Sequence, residues 1–494
     1  MTADANVPID LLHTQAVLTP PNPDVLKRAR LKAFLYLMPL LFVCYVVAYI
    51  DRSNVSLAKL PMSKDLPWLT DAVFGTGAGI FFIGYFLLEI PGTLIVERWS
   101  ARKWICRIMI SWGIVAAITA FVKTEMQFYS IRFLLGLAEA GFFPGVIVYL
   151  THWFTPRDRA KALAYFFVGS PIAGIITPIL CQSLFQIGSD ITDPVTGVIT
   201  HVPEWHGFEG WQLVFIVMGL PAVLLGIIVY FFLPDKPRHA RWLTPEEREA
   251  METELLIQAR LHGPEKHHSV LQALIHPKVI MLAFVYFLAT TANYGIELFL
   301  PTINAAWYNL KVDKVIWLVV LPHAVSLLAQ LFLSWNSDRT QERRYHTCIP
   351  IAIGAIALAC CPFTRGNVTL TVICFMLAIS GTKGYLPVFW SLPSMFLTAS
   401  AAAGSVGFIN SFGNLGGYFG PVILGQLSKL FETANKSKAP AELAQSNLGQ
   451  YDTGLWILAG MMMCSAILVF FMPMTKRKVF TESPPEVLAT EVTQ

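Results

Sequence analysis

EMQFYSIRFLLGLAEAGFFPGVIVYLTHWF, residues 125–154, is an apolar run of membrane-crossing length whose interior charges are Arg132 and Glu139. Seven residues of helix make nearly two turns, so the two side chains share one face, about 10 Å apart along the axis. A charge in a lipid-crossing helix is costly and normally faces a bundle interior or a wet cavity. Two in one span predict a path for something charged.

Runs of the same kind fill the chain on either side. They lie at 34–57, 73–96, 104–122, 126–153, 160–185, 211–233, 279–304, 315–335, 346–361, 368–391, 400–431 and 452–472, the ninth being the shortest. A helix needs about 20 apolar residues to cross a bilayer, so the sequence predicts an all-α polytopic membrane protein with twelve transmembrane helices. The composition agrees: 55% apolar and only 14% charged, where soluble domains carry about 25% charge. Residues 1–33 read as a polar tail, because Lys27, Arg28, Arg30 and Lys32 precede a full-length span with no cleavage pattern. All eight cysteines fall in or beside apolar runs and none forms a CxxC pair, so they read as small buried hydrophobes; no metal site is expected.

Lysine and arginine set the orientation. With the N-terminus inside, 23 fall in inner segments and 9 in outer loops, and Arg52, Arg107, Arg132 and Lys383 lie within spans. That asymmetry places both termini in the cytoplasm. The expected organisation is a tail (1–33), a six-helix bundle (34–233), a linker with a surface helix (234–277), a second six-helix bundle (278–475) and a tail (476–494). The linker helix announces its own start, with Thr244 as N-cap, Pro245 at the first position and Glu247 completing a capping box.

The two halves repeat. ERWSARK between spans 2 and 3 carries Glu97, Arg98, Arg102 and Lys103, and DRTQERR between spans 8 and 9 carries Asp338, Arg339, Arg343 and Arg344 at the same spacing, 241 residues later. Ser170, Gly174 and Pro178 in span 5 are echoed by Gly413, Gly417 and Pro421 in span 11, 243 residues on. A constant offset predicts duplication into parallel six-span repeats that rock about a central site. The basic turns read as cytoplasmic gates or as topology signals, and the small residues as close-packing faces.

The ionisable residues inside the spans supply the candidate chemistry. Asp51 and Arg52 lie deep in span 1 at the depth of Arg132, and either arginine can hold Asp51 charged until a proton or an anion competes. Glu139 has no basic residue within one turn of its helix and is the preferred proton carrier, with Asp51 second. Lys383 in span 10 is too deep to reach either interface and wants a counter-ion, either a substrate carboxylate or an acid such as Glu297. Asn293, Tyr294, Asn410 and Asn414 are expected to line the cavity. Arg52, Arg132 and Lys383 against two protonatable acids leave positive charge, which suits an organic anion carried with protons.

These residues resemble the anion:cation symporters of the major facilitator superfamily. The matching runs are YIDRSNVSLA (49–58), GTGAGIFFIGYFLLEIPG (75–92), RFLLGLAEAGFFPG (132–145), FLPDKPRHARWLTPEER (232–248), SDRTQERR (337–344) and FINSFGNLGGYFGPVILG (408–425). The resemblance implies import of a carboxylate-bearing solute (tartrate-like, aromatic or sugar acid) with protons by alternating access, through Asp51, Arg52, Arg132 and Glu139. The expected working form is a monomer in the inner membrane, with no cofactor and no nucleic-acid partner. The chain departs from the family pattern at Ser100, Thr93, Gln212 and Phe299. Neither a nucleophile–base pair nor a phosphate-binding loop is present to support an enzyme. Sodium coupling, uniport and export of the same anions are the alternatives within transport.

Overall fold

A computed structural model describes residues 19–192, 199–261, 276–310, 312–395, 399–435 and 448–473, with the side chains of Glu97 and Arg98 outside the description. The protein is an all-α polytopic membrane protein, and eleven of its described helices are long and apolar enough to cross a bilayer. The first half of the chain forms α1 (Pro23–Asp65), α2 (Asp71–Arg98), α3 (Ala101–Ile118), α4 (Glu125–Glu139), α5 (Phe142–Thr151), α6 (Pro156–Phe167), α7 (Gly169–Leu184) and α8 (Gly210–Phe232). The linker contributes α9 (Pro245–Leu261). The second half forms α10 (Pro277–Tyr308), α11 (Val312–Thr340), α12 (Arg344–Cys360), α13 (Val368–Lys383), α14 (Leu386–Phe389), α15 (Ala399–Asn414), α16 (Gly416–Asn435) and α17 (Asp452–Phe471).

Three local differences from the sequence reading have identifiable causes. Helix α1 begins 11 residues before the first apolar run, at Pro23, where the Asn22 side chain accepts from the Asp24 N–H at 3.0 Å. The charges of that extra stretch are used: Arg30 pairs with Glu254 at 3.0 Å and Lys32 with Glu247 at 2.8 Å, docking α9 against α1. The organising run 125–154 is not one straight helix. It breaks directly after Glu139, where Gly141 takes φ +83°, a left-handed conformation that a side chain would strain. The run expected at 400–431 is likewise interrupted at Leu415, between α15 and α16, and is not among the eleven.

The loop at 186–210 holds a short antiparallel hairpin, β1 (Asp190–Thr192) and β2 (Ile199–His201). This hairpin marks one end of the bundle and α9 marks the other. Gln212, where the family pattern has arginine, completes the cap of α8 by accepting from the Glu209 N–H and donating to the Ala120 carbonyl at 2.8 Å. Ser100 caps α3 and donates to Asp235 at 2.8 Å. Within the bundle α2 packs on α16 and α7 on α11, so the two halves of the chain meet along both pairs.

Candidate functional site

At the hairpin end the halves are sealed. Asp71, the first residue of α2, accepts from Ser428 Oγ at 2.8 Å and Tyr451 Oη at 2.6 Å, both in the second half, and pairs with Lys59 of α1. The buried Lys59 ammonium lies 4.9 Å over the Phe74 ring and 4.6 Å over Phe299, one aromatic from each half. A buried ammonium left without a partner costs several kcal/mol, so Asp71 both neutralises Lys59 and ties the first half to Ser428 and Tyr451 of the second.

On the linker side of that seal, between the halves, is a cavity with an open mouth. Arg52, Glu139, Lys383, Asn410 and Asn414 line it, with Tyr49, Tyr85, Tyr286 and Trp390 as aromatic walls. Helix α1 presents Arg52 to the last residue of α4, and Arg52 Nε donates to Glu139 Oε1 at 2.6 Å. The guanidinium reaches toward Tyr294 Oη at 3.4 Å across the halves and lies within 5.6 Å of the rings of Tyr49, Phe81 and Tyr85. Such a cage holds a planar cation in place without neutralising it further.

Lys383, at the C-terminus of α13, donates to Glu297 Oε1 at 3.1 Å and to Ser170 Oγ of the first half at 3.2 Å. Glu297 also accepts from Asn293 Nδ2 through Oε2 at 3.2 Å, and His323 Nε2 stands 3.6 Å from Oε1, the oxygen that Lys383 meets. The His323 ring is seated on Gly174, where a Cβ would fall 2.0 Å from it, so the small residue of α7 is what lets α11 approach.

The predicted residues therefore divide. Arg52, Glu139, Lys383, Asn410 and Asn414 come together at the cavity, while Asp51 and Arg132 sit behind it. Asp51 accepts from Trp112 Nε1 at 2.6 Å and from Asn54 Nδ2 at 3.4 Å, not from an arginine. Arg132 is buried with its guanidinium 5.2 Å from the Phe81 centroid. Glu139, which has no basic residue within one turn of its own helix, has Arg52 of α1 as its partner. Glu297, one of the two counter-ions open to Lys383, is buried against it. Tyr294 and Asn293 stand one step from the cavity, beside Arg52 and Glu297.

At the linker end the basic turns are tied locally. Arg102 lies 3.6 Å from Asp235, Lys103 donates its N–H to Ser100, Arg343 pairs with Asp338 at 2.7 Å, Arg344 donates to the Met472 carbonyl at 2.8 Å, and Arg339 lies over Trp335. Glu97 and Arg98, expected in the same gate, lie outside the described side chains.

Sequence reasoning missed Glu89 of α2 and Gln330 of α11, both buried. Asn410 donates to Glu89 across the halves. Glu89 stood in plain view as an acid inside the second apolar run. Gln330 carries no charge, so nothing marked it.

A buried, charged cavity between two sets of membrane-crossing helices is the architecture of a transporter. The chain belongs to the Major Facilitator Superfamily, whose model matches residues 41–421. It is 35% identical to an Agrobacterium vitis protein named for tartrate transport, over 92% of this chain and 96% of that one. It is 36% identical to a quinolone resistance transporter of Acinetobacter baumannii, over 82% and 89%. Among solved structures, a bacterial homologue of the lysosomal transporter Spinster, inward-facing, superposes with a TM-score of 0.69 at 17% identity, over 88% and 96%. The protein is a transporter and not an enzyme.

Proposed function

We propose that the protein imports an organic carboxylate anion in symport with protons, by alternating access of the central cavity. The observation that carries this reading is the Arg52–Glu139 pair on the cavity wall. A substrate carboxylate and Glu139 compete for one guanidinium, and protonation of Glu139 frees that guanidinium for the anion. Binding of the two ligands is then mutually favourable, which is what symport needs. Asp51 behind the wall is the second proton carrier, Arg132 keeps the region positive, and Lys383 offers the anion a second contact when Glu297 yields it. Asn410 and Asn414 hydrogen-bond the bound solute.

In this reading the chain has twelve spans in two six-helix bundles, 34–233 and 278–475, joined by the linker 234–277. Both termini face the cytoplasm of the inner membrane, and the working unit is a monomer. The linker end is cytoplasmic, the hairpin end is external, and the structure is inward-facing. The turns at Glu97–Lys103 and Asp338–Arg344 form the cytoplasmic gate. The relative named for tartrate transport supports a dicarboxylate as the first solute to try.

The reading is tested in proteoliposomes with labelled tartrate. Glu139→Gln is expected to abolish uphill uptake driven by a pH gradient and to leave tartrate–tartrate exchange running. Uphill uptake that survives the substitution, or that follows sodium and ignores pH, overturns the proton assignment.

A further inference from the structure

Gln330 is only 2% exposed, on the wall of the central cavity, and among the described residues neither its amide oxygen nor its amide nitrogen has a hydrogen-bond partner. A buried amide with both ends unpaired is unfavourable, and native interiors rarely keep one without a use. The wall's two cations and Asn410 are already engaged: Arg52 with Glu139, Lys383 with Glu297 and Ser170, and Asn410 with Glu89. Gln330 thus lines the cavity with both amide ends buried and unpaired, so a solute meets its full donor and acceptor capacity once the side chain turns to it.

The chemistry of that capacity is selective. A carboxylate only accepts, so it can satisfy the amide N–H₂ and leaves the amide oxygen unpaired. A hydroxyl both donates and accepts, and a hydroxyl next to a carboxylate can satisfy both ends of the amide while the carboxylate meets a cation. Lys383 and Ser170 line the same cavity and supply the cation and a further hydroxyl. A site whose buried polar group expects a hydroxyl discriminates strongly against the analogue that lacks one.

We infer that Gln330 is a specificity-determining residue that reads a hydroxyl group on the substrate, so that the transported anions are hydroxylated carboxylates and not their deoxy counterparts. This rests on the anion reading above and narrows it: aromatic dicarboxylates without a hydroxyl fall outside.

The experiment measures binding to the purified full-length protein with matched pairs of probes: tartrate against succinate, and mandelate against phenylacetate. In the wild type the hydroxylated member of each pair that binds is expected to bind at least about tenfold more tightly. Gln330→Met, close in size, is expected to remove that preference by weakening the hydroxylated member alone. Lys383→Ala is expected to weaken both members together, because it removes charge and not hydroxyl recognition. Equal affinities in the wild type, or a preference that survives Gln330→Met, overturn the inference and leave the anion reading standing. An unchanged affinity in Lys383→Ala with an altered preference in Gln330→Met counts against the anion reading and not against this one. Failure of every probe to bind overturns both. Should Gln330→Met not fold, the wild-type ratios alone decide.

Discussion

Arg52 and Glu139 stand 87 positions apart in the chain, yet each makes the other's burial tolerable. Glu139 is 1% exposed, and removing its partner strands a charge in a low-dielectric wall, which costs about 3–5 kcal/mol. Arg52→Ala should therefore lower the thermal unfolding temperature sharply. The double variant Arg52→Ala/Glu139→Gln should recover much of that loss, since the stranded charge is gone; a double variant no more stable than the single one would mean that the stranded carboxylate is not what destabilises Arg52→Ala. The sequence showed both residues and their depth, but not that they meet. Depth is a one-dimensional property of a span, whereas partnership depends on how each helix is rotated and where α1 crosses its neighbours. The same gap explains Asp51, whose partner is Trp112 of α3 and not an arginine.

The start of the linker helix was legible because capping is local, whereas that of α1 was not, since its first turns are charged. Thr244 N–H donates to Glu247 Oε2 at 3.0 Å and Glu247 N–H to Thr244 Oγ1 at 3.3 Å, the reciprocal box read from four letters. Burial pushes the Glu247 carboxyl up, but hydrogen bonds from Lys32 and from the Thr244 backbone outweigh it and hold the group below its ordinary value of 4.5. Because the folded value is depressed, the stabilisation is complete above 4.5 and is lost as pH falls through the folded value. Cleavage of the linker by pepsin should accordingly stay slow on acidification to that point and accelerate below it. Glu247→Gln should cleave faster at the higher pH and show no such step, and a step that persists in the variant would place the titrating group elsewhere. The breaks at Gly141 and Leu415 were less legible, because a glycine inside an apolar run reads equally as packing or as interruption. Gly425 is a case of packing: a Cβ there would fall 2.4 Å from the Asp71 carbonyl. Gly425→Trp should wedge α16 from α2, abolish uptake and raise the rate at which a Tyr294→Cys variant is labelled from the hairpin side. Unchanged labelling would show that α2 and α16 are not the contact that closes this end.

For the whole molecule, one end is latched by Asp71, Lys59, Ser428 and Tyr451, while the basic turns at the other end are tied within their own half. That asymmetry gives the conformational equilibrium a specific handle. Asp71→Asn leaves Lys59, buried under Phe299 of the second half in the closed arrangement, without its counter-charge. Taking the cost as roughly 3 kcal/mol, the closed population falls about a hundredfold relative to the open one. Distances between spin labels placed across the hairpin end should lengthen in Asp71→Asn and return when Lys59→Met is added, since the stranded charge is then absent. The general plan of apolar spans, repeated basic turns and buried charges was readable from the sequence, because lipid punishes polar residues so heavily that those retained stand out. Uncharged site residues such as Gln330 had no such contrast and needed coordinates. The central claim is that anion and proton move together through the cavity that holds Arg52 and Glu139. Its most direct measurement is simultaneous recording of tartrate and proton flux into proteoliposomes without sodium and with no imposed pH gradient. An inward tartrate gradient should acidify the lumen in step with tartrate entry, with Glu139→Gln losing the proton flux; tartrate entry with no accompanying proton movement would contradict the account.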